Sequence, residues 1–133
     1  MIDPANVPEV ATNEMLARYV LHSSHIRRSN QTAKQDAFVP HPRRDLSVTR
    51  HLSATEDELW SVGEDVAATI GKTLYGRGDV PTTTCLAQNL IVKASPTLTN
   101  PNHADVCDWP ADKPAQKIIA QEIAAAAKFV PKP

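Results

Sequence analysis

Two histidines three positions apart, followed by two arginines, are the first residues in this sequence whose types and spacing could do chemistry. The stretch YVLHSSHIRRSN contains His22, His25, Arg27 and Arg28. An imidazole can exchange protons near neutral pH or ligate a metal. Arginine forks bind carboxylates and phosphates. The stretch therefore raises three alternatives, which are a metal site, an acid–base site and a surface for an anionic partner.

The two arginines open a basic segment over residues 26–50. This segment holds six Lys and Arg residues against two Asp residues, whereas ten of the fifteen acidic residues follow Ser53. Such a segment predicts contact with an acidic protein face or a nucleic-acid backbone. The alternative is a solvated loop whose arginines pair with the acidic first turn of the helix that follows.

A zinc site would need two half-sites to come together. His22-x2-His25 and His103-x3-Cys107 together offer four zinc ligands. On a strand the first two side chains would point to opposite faces, so a turn at Ser23 is required. A pair at this spacing is common by chance, and we predict neither a metal nor a cofactor.

Two His-x-Ser pairs, at residues 22–24 and 51–53, resemble those of the two-histidine phosphoesterases. The pairs lie closer together, and the chain is shorter, than that fold needs. Ser53 also has a structural explanation as a helix cap. We therefore assign no catalytic residue from this pattern.

Length and composition predict one ordinary domain. The chain has 133 residues, 41% of them hydrophobic and 22% charged, with a formal net charge of -1. This balance excludes a protein that relies on a global basic field. There is no apolar run of about 18 residues and no secretory signal, so we expect no membrane contact. With only two cysteines we expect reduced thiols and a cytoplasmic location. The composition does not indicate an oligomeric state.

Two amphipathic helices must position the candidate residues. Ser53 and Glu56 predict a capping box, apolar residues recur at helical spacing from Leu59, and Gly71 ends this first helix. A second helix is predicted to begin after Asp112 and to end before Pro131.

The remaining segments read as strands and loops. Strands are predicted at residues 16–22, 45–50 and 89–95, and another is expected after Pro81. The YGRGDVP stretch is predicted to be a glycine turn and residues 95–110 a long loop. The fold class is therefore α+β, with a small mixed or antiparallel sheet packed against the two helices. We expect an extended N-terminal arm over residues 1–14, a single domain over residues 15–130 and a tail over residues 131–133.

Three segments together resemble a set of small bacterial proteins. They are DAFVPHPRRDLSVTR at residues 36–50, NPNHADVCDWP at residues 100–110 and the Lys/Ala-rich last helix. In that set an Ala-Phe-x-Pro stretch precedes a Leu-Ser-Val-x-Arg strand, and an Asn-Pro-x-His-Ala stretch follows later. The resemblance implies bacterial origin and a compact fold, and it implies no particular chemistry. It draws attention to Arg50 and His103, which have no plain core explanation.

The leading hypothesis is a non-enzymatic binding module that contacts an acidic partner through its basic segment. The alternative is a small enzyme acting on a phosphate-containing substrate, with histidines exchanging protons and Arg50 holding the anion. The residues predicted to contact the partner are His22, His25, Arg27, Arg28, Arg43, Arg44, Arg50 and His103.

Overall fold

Eight strands and three helices follow one another in the computed structural model, which describes residues 1–42 and 45–133. The strands are β1 (Met15–Val20), β2 (Ile26–Arg27), β3 (Thr32–Ala33), β4 (Leu46–Arg50), β5 (Gly76–Pro81), β6 (Ile91–Ala94), β7 (His103–Cys107) and β8 (Lys128–Pro131). The helices are α1 (Glu56–Thr69), α2 (Thr82–Ala87) and α3 (Lys113–Ala126).

Six of these strands form one sheet in the order β6-β7-β4-β1-β5-β8, and the neighbouring strands are antiparallel. Strands β2 and β3 form a separate antiparallel hairpin. The predicted α+β class is confirmed. Within the described chain, α2 is a third helix beyond the two that the sequence predicts.

The sheet carries a core on each of its two faces, because residues alternate between faces along a strand. Leu16 and Val80 lie on one face and pack with Phe38 and with Ile123 of α3. Tyr19 lies on the other face, in a second cluster with residues of α1. Its hydroxyl donates a hydrogen bond of 2.6 Å to the carbonyl of Leu59. The sheet is therefore the middle layer, with α2 and α3 on one side and α1 on the other.

Helix α1 is confirmed, but its capping box lies two residues later than predicted. The Thr55 side chain accepts from the backbone N–H of Glu58 at 3.1 Å, and the Glu58 carboxylate accepts from the backbone N–H of Thr55 at 2.9 Å. Ser53 has a φ of 58°, so it lies in the turn that follows β4 and does not cap the helix. Gly71, with a φ of 66°, follows the helix in the left-handed conformation, as predicted.

The last helix begins as predicted but ends earlier. Asp112 caps α3 by accepting from the backbone N–H of Ala115 at 3.0 Å. The helix stops at Ala126, and the following residues form β8 at the edge of the sheet. This strand lies so close to β5 that a Cβ on Gly76 would come within 2.6 Å of the Val130 carbonyl oxygen. The helix therefore ends because the residues after it pair with a strand that is distant in the sequence. The alanine-rich sequence of the helix does not reveal this pairing.

Three further predictions about elements were wrong. The GRGDVP residues form β5 and not a turn, and the threonine-rich residues after Pro81 form helix α2 and not a strand. Strand β7 lies inside the segment predicted to be a loop. Among the described residues, none of the helices is both long and apolar enough to cross a bilayer.

Residues 1–14 contain no helix or strand, yet they are held on the domain. Ile2 is buried, and its backbone N–H donates to Asn102 Oδ1 at 2.9 Å. The carbonyls of Pro8 and Glu9 accept hydrogen bonds from Arg50 at 2.7 and 3.2 Å. The arm predicted for these residues is therefore bound to the domain at residue 2 and at residues 8–9.

Candidate functional site

The candidate site is the basic hairpin, defined here as residues 22–34. It begins with a 3₁₀ turn at Ser23–His25, which confirms that the two serines turn the chain. Strands β2 and β3 then pair, with Ile26 opposite Ala33. The hairpin is closed by a hydrogen bond of 2.7 Å from the backbone N–H of Lys34 to the carbonyl of His25.

Apolar residues of the basic hairpin fix it to the domain. Ala33 is buried in the core on the α3 side of the sheet, and Ile26 packs against the same cluster. Arg27 and Arg28 are exposed on the outside. Gln31 closes the turn with a φ of 54°. The arginines therefore project from a ribbon whose other side is anchored by apolar packing.

The outer side of the basic hairpin contains a shallow depression with a volume of about 540 Å³. Positive charge and hydroxyl groups share its lining, so it presents several kinds of hydrogen-bond donor to an anion. Its lining residues are Ser23, Ser24, Ile26, Arg27, Arg28, Ser29 and Lys34.

The cations of the basic hairpin have no acidic partner in the part of the chain that the structure describes. No carboxylate there lies within 4.0 Å of Arg27, Arg28 or Lys34. The acidic first turn of α1 is engaged elsewhere, since Glu56 pairs with Arg77 and Glu58 closes the capping box. That turn therefore does not neutralise the cations of the basic hairpin. The alternative also involved Arg43 and Arg44, which lie outside the described residues.

The two histidines of the basic hairpin contact each other. The ring centroids of His22 and His25 are 4.8 Å apart, with the planes tilted by 57°. Burial lowers the pKa of His25, and the neighbouring His22 lowers it further, against the opposing effect of Asp36. A lowered pKa keeps His25 neutral at pH 7. His25 therefore does not contribute to the positive charge of the hairpin at that pH.

Arg50 does not belong to this surface, which corrects the prediction that it contacts a partner. Its side chain is fully buried. Its Nε and Nη2 atoms donate to the two carboxylate oxygens of Glu14, each at 2.7 Å, and Nη1 donates to the carbonyl of Pro8. All three guanidinium nitrogens are occupied inside the protein. Arg50 therefore ties β4 to the N-terminal residues and cannot reach an external anion.

Glu14 is the acidic half of that buried pair. Burial alone would raise the pKa of Glu14, but hydrogen bonds from Arg50 and from the Ala11 backbone, together with the charge of Arg50, outweigh burial and lower it. Glu14 is therefore ionised at neutral pH. Two opposite charges meet in the interior in a bidentate arrangement, which is the geometry that best offsets their desolvation.

A second ion network lies between the sheet and the start of α1, and sequence reasoning missed it. Arg77 donates to both oxygens of Glu56, at 2.8 and 2.9 Å, and to Asp79 at 2.9 Å. Its guanidinium lies 4.7 Å from the ring centroid of Trp60. His51 Nε2 lies 2.9 Å from Asp79 Oδ1. The Arg-Gly-Asp stretch did contain a signal for this network. Residues two apart on a strand share a face, so a strand here places Arg77 and Asp79 side by side.

His103 is separate from the other two histidines. It begins β7, and its Nδ1 lies 2.9 Å from the Ser95 carbonyl oxygen and 2.8 Å from Ser95 Oγ. It lines a groove beside α1, which neither His22 nor His25 lines. The predicted contact residues therefore do not form one surface. Arg43 and Arg44 lie outside the described residues.

The four residues considered for zinc do not come together. His103 and Cys107 stand at the two ends of β7, about 13 Å apart at the usual rise of a strand. In the described residues, no three His, Cys, Asp or Glu side chains are placed to hold a metal ion. Both cysteines are buried and free, and burial is the largest cause that raises the pKa of each thiol to about 11.

No family model matches the chain, and no curated protein or solved structure matches it.

Proposed function

We propose that this protein is a binding module that contacts an acidic partner through the basic hairpin. The observation that carries the proposal is the set of cations at residues 27, 28 and 34, which no described carboxylate neutralises. Charged groups that have no internal carboxylate partner are free to pair with an external one. The buried arginines of the same protein all have such internal partners.

The chemistry of the depression suits an anion with several oxygens. Arg27 and Arg28 offer planar forks, Lys34 offers a compact charge, and three serines offer hydroxyl donors. A phosphate accepts hydrogen bonds from several directions, whereas a carboxylate accepts them mainly in its own plane. The mixture of donors therefore favours a nucleic-acid backbone over an acidic protein face, although both belong to the proposal.

The proposed location of this binding module is the bacterial cytoplasm. Two free, buried cysteines are in keeping with a reducing compartment. The alternative enzyme is not proposed, because its anion-binding residue, Arg50, is fully engaged with Glu14 and backbone carbonyls.

The test compares two double variants that remove the same charge. Arg27→Ala with Arg28→Ala removes two of the three cations of the basic hairpin, whereas Lys113→Ala with Lys117→Ala removes two exposed lysines from α3. Fluorescence anisotropy measures the affinity of each variant for a labelled DNA duplex and for a labelled oligoglutamate peptide from 50 to 300 mM salt. We expect weaker binding only for the hairpin variant. Its slope of log K against log salt should fall by up to about 1.8 on duplex DNA.

The two partner classes are distinguished by which probe shows this loss. A loss confined to DNA identifies a phosphate backbone, and a loss confined to oligoglutamate identifies an acidic protein face. Equal affinities for the original protein and the hairpin variant, at every salt concentration and on both probes, would remove the proposal.

A further inference from the structure

A second candidate site lies along α1 next to its core contacts, since Val62 belongs both to the Tyr19 cluster and to the lining of this site. It is a groove of about 260 Å³ between α1 and residues 97–100, with His103 of β7 among its lining. Val62, Val66 and Ile70 of α1 supply an apolar wall. Val66 and Ile70 are 39% and 54% exposed, which is high for branched aliphatic side chains. No residue of the basic hairpin lines this groove.

The loop opposite α1 is held in place by its own side chains. The Asn100 backbone N–H donates to Thr97 Oγ1 at 3.0 Å, and the Thr97 backbone N–H donates to the Asn100 carbonyl at 3.0 Å. The Asn100 side chain, which is buried, donates to Thr49 Oγ1 at 3.1 Å. These bonds close the loop on itself and fasten it to β4. The groove is therefore shaped before any ligand enters it, which reduces the entropic cost of binding.

A second asparagine fixes the start of β7. The side chain of Asn102 is fully buried and donates to the carbonyls of Arg50 and Leu52, at 2.7 and 2.8 Å. Its backbone N–H donates to Asn100 Oδ1 at 3.0 Å. These contacts explain structurally why two asparagines precede His103. They set the position of the imidazole in the groove.

The hydrogen bonds of His103 also fix its tautomer. A carbonyl oxygen can only accept, so the 2.9 Å contact between Nδ1 and the Ser95 carbonyl requires a proton on Nδ1. In the neutral ring this leaves Nε2 with a lone pair. Nε2 has no hydrogen-bond partner among the described residues. In that form His103 offers the groove an acceptor at Nε2.

The charge of the lining selects the ligand. Asp65 is the one acidic residue of the groove, and the lining contains no lysine or arginine. In the part of the chain that the structure describes, no basic group lies within 4.0 Å of the Asp65 carboxylate. A groove with apolar walls, one carboxylate and no lysine or arginine disfavours anions and favours an apolar cation.

From these contacts we infer that the groove binds a small apolar amine. The hydrocarbon part packs on Val62, Val66 and Ile70. The ammonium group pairs with Asp65. It also donates hydrogen bonds to acceptors of the lining, one of which is Nε2 of His103 in the neutral form described above. This site is independent of the proposed function, since its residues and its charge preference both differ from those of the basic hairpin.

The test uses three probes of similar size and different charge, which are phenethylamine, 2-phenylethanol and 3-phenylpropionate. Each is titrated into ¹⁵N-labelled protein at pH 7.5, and amide chemical shifts are followed. We expect phenethylamine to shift the amides of residues 62–70 and 97–103 with saturation. The alcohol should bind there about three- to fivefold more weakly, as expected for losing one exposed ion pair, and the anion should not saturate.

Two variants and one control sharpen this test. Asp65→Asn should abolish the preference for the amine over the alcohol, and Val66→Trp should fill the groove and abolish saturation by both. Asp57→Asn removes an exposed acid from the same helix outside the groove and should change neither affinity. The dispersion of the amide spectrum reports that each variant is folded. Equal affinity for the three probes, shifts elsewhere than the groove, or an unchanged preference in Asp65→Asn would overturn the inference.

Discussion

Arg50 and Arg28 carry the same guanidinium group in opposite surroundings. Arg50 is fully buried and bonded to Glu14 in a bidentate pair, whereas Arg28 is exposed on the basic hairpin with no acidic partner among the described residues. Arg77 resembles Arg50, since its side chain is 3% exposed and it bonds both Glu56 and Asp79. The protein thus has two buried arginines, Arg50 and Arg77, that bind its own carboxylates, and exposed arginines on the basic hairpin with no such partner among the described residues.

This difference separates stability from binding. A buried ion pair is expensive to break, because removing one partner leaves the other charged and without water. Removing an exposed charge changes the free energy of unfolding little, because water already surrounds the charged group. The interior arginines should therefore determine whether the protein folds, and the exterior ones should determine what it binds.

The largest expected effect is that of Arg50→Met. This change leaves the Glu14 carboxylate buried without its partner, and we expect the free energy of unfolding to fall by about 3–5 kcal/mol. Urea denaturation followed by circular dichroism measures it. The double variant Glu14→Leu with Arg50→Met should recover much of the loss, because no unpaired charge remains. A loss of less than about 1 kcal/mol in the single variant would show that the pair is not important for stability.

For Arg77→Met we expect a smaller loss of the free energy of unfolding, about 2–3 kcal/mol. Asp79 would lose a buried partner, but Glu56 is 66% exposed and would regain water. The same urea experiment measures this change. Glu56→Gln provides the control, since removing the exposed partner should cost less than removing Arg77. The comparison between interior and exterior arginines would weaken if the two variants lost the same free energy.

Acid should act on the interior pairs. Burial raises the pKa of Asp79, but hydrogen bonds from His51 and Arg77 and their charges outweigh it, so its pKa is lower than usual, like that of Glu14. When the pKa in the folded protein lies below that in the unfolded chain, the unfolded chain binds more protons as the pH falls. The stability from these groups is therefore complete above about pH 5 and is lost as the pH falls through their folded pKa values.

Urea denaturation at pH 7, 5, 4 and 3 measures this loss. The double variant Glu14→Leu with Arg50→Met should show a shallower decrease than the original protein, since it has one fewer ionised pair to titrate. Identical pH profiles for the two proteins would show that the Glu14 carboxylate does not contribute to acid sensitivity.

The smallest effect on stability is expected on the basic hairpin. Arg27→Met with Arg28→Met should change the free energy of unfolding by less than about 0.5 kcal/mol per substitution, since both side chains are exposed. The same variant should lose the binding measured by anisotropy. A stability loss as large as that of Arg77→Met would remove the distinction between the two groups of arginines.

The sequence predicts those features whose causes are local. Asp112 and Gly71 mark helix ends through contacts within a few residues, and both predictions are confirmed. The excess of cations near Arg27 is likewise a local property, and the hairpin does present them at the surface.

Features with distant causes were missed or misplaced. The burial of Arg50 depends on Glu14, 36 positions earlier in the sequence. The sequence around either residue does not indicate that the two side chains will meet. Strand β7 depends on pairing with β4 on one side and β6 on the other, which no local pattern around His103 reveals. Residues Thr82–Ala87 are rich in β-branched threonine, yet tertiary packing makes them helical.

The hydrogen bonds between Arg50 and the N-terminal residues have a consequence for local opening. If residues 1–14 detached, the Pro8 and Glu9 carbonyls would leave Arg50, and the buried Ile2 would become exposed. That opening therefore costs contacts in the centre of the sheet, unlike the fraying of an ordinary irregular segment. The segment without regular structure thus belongs to the same cooperative unit as β4.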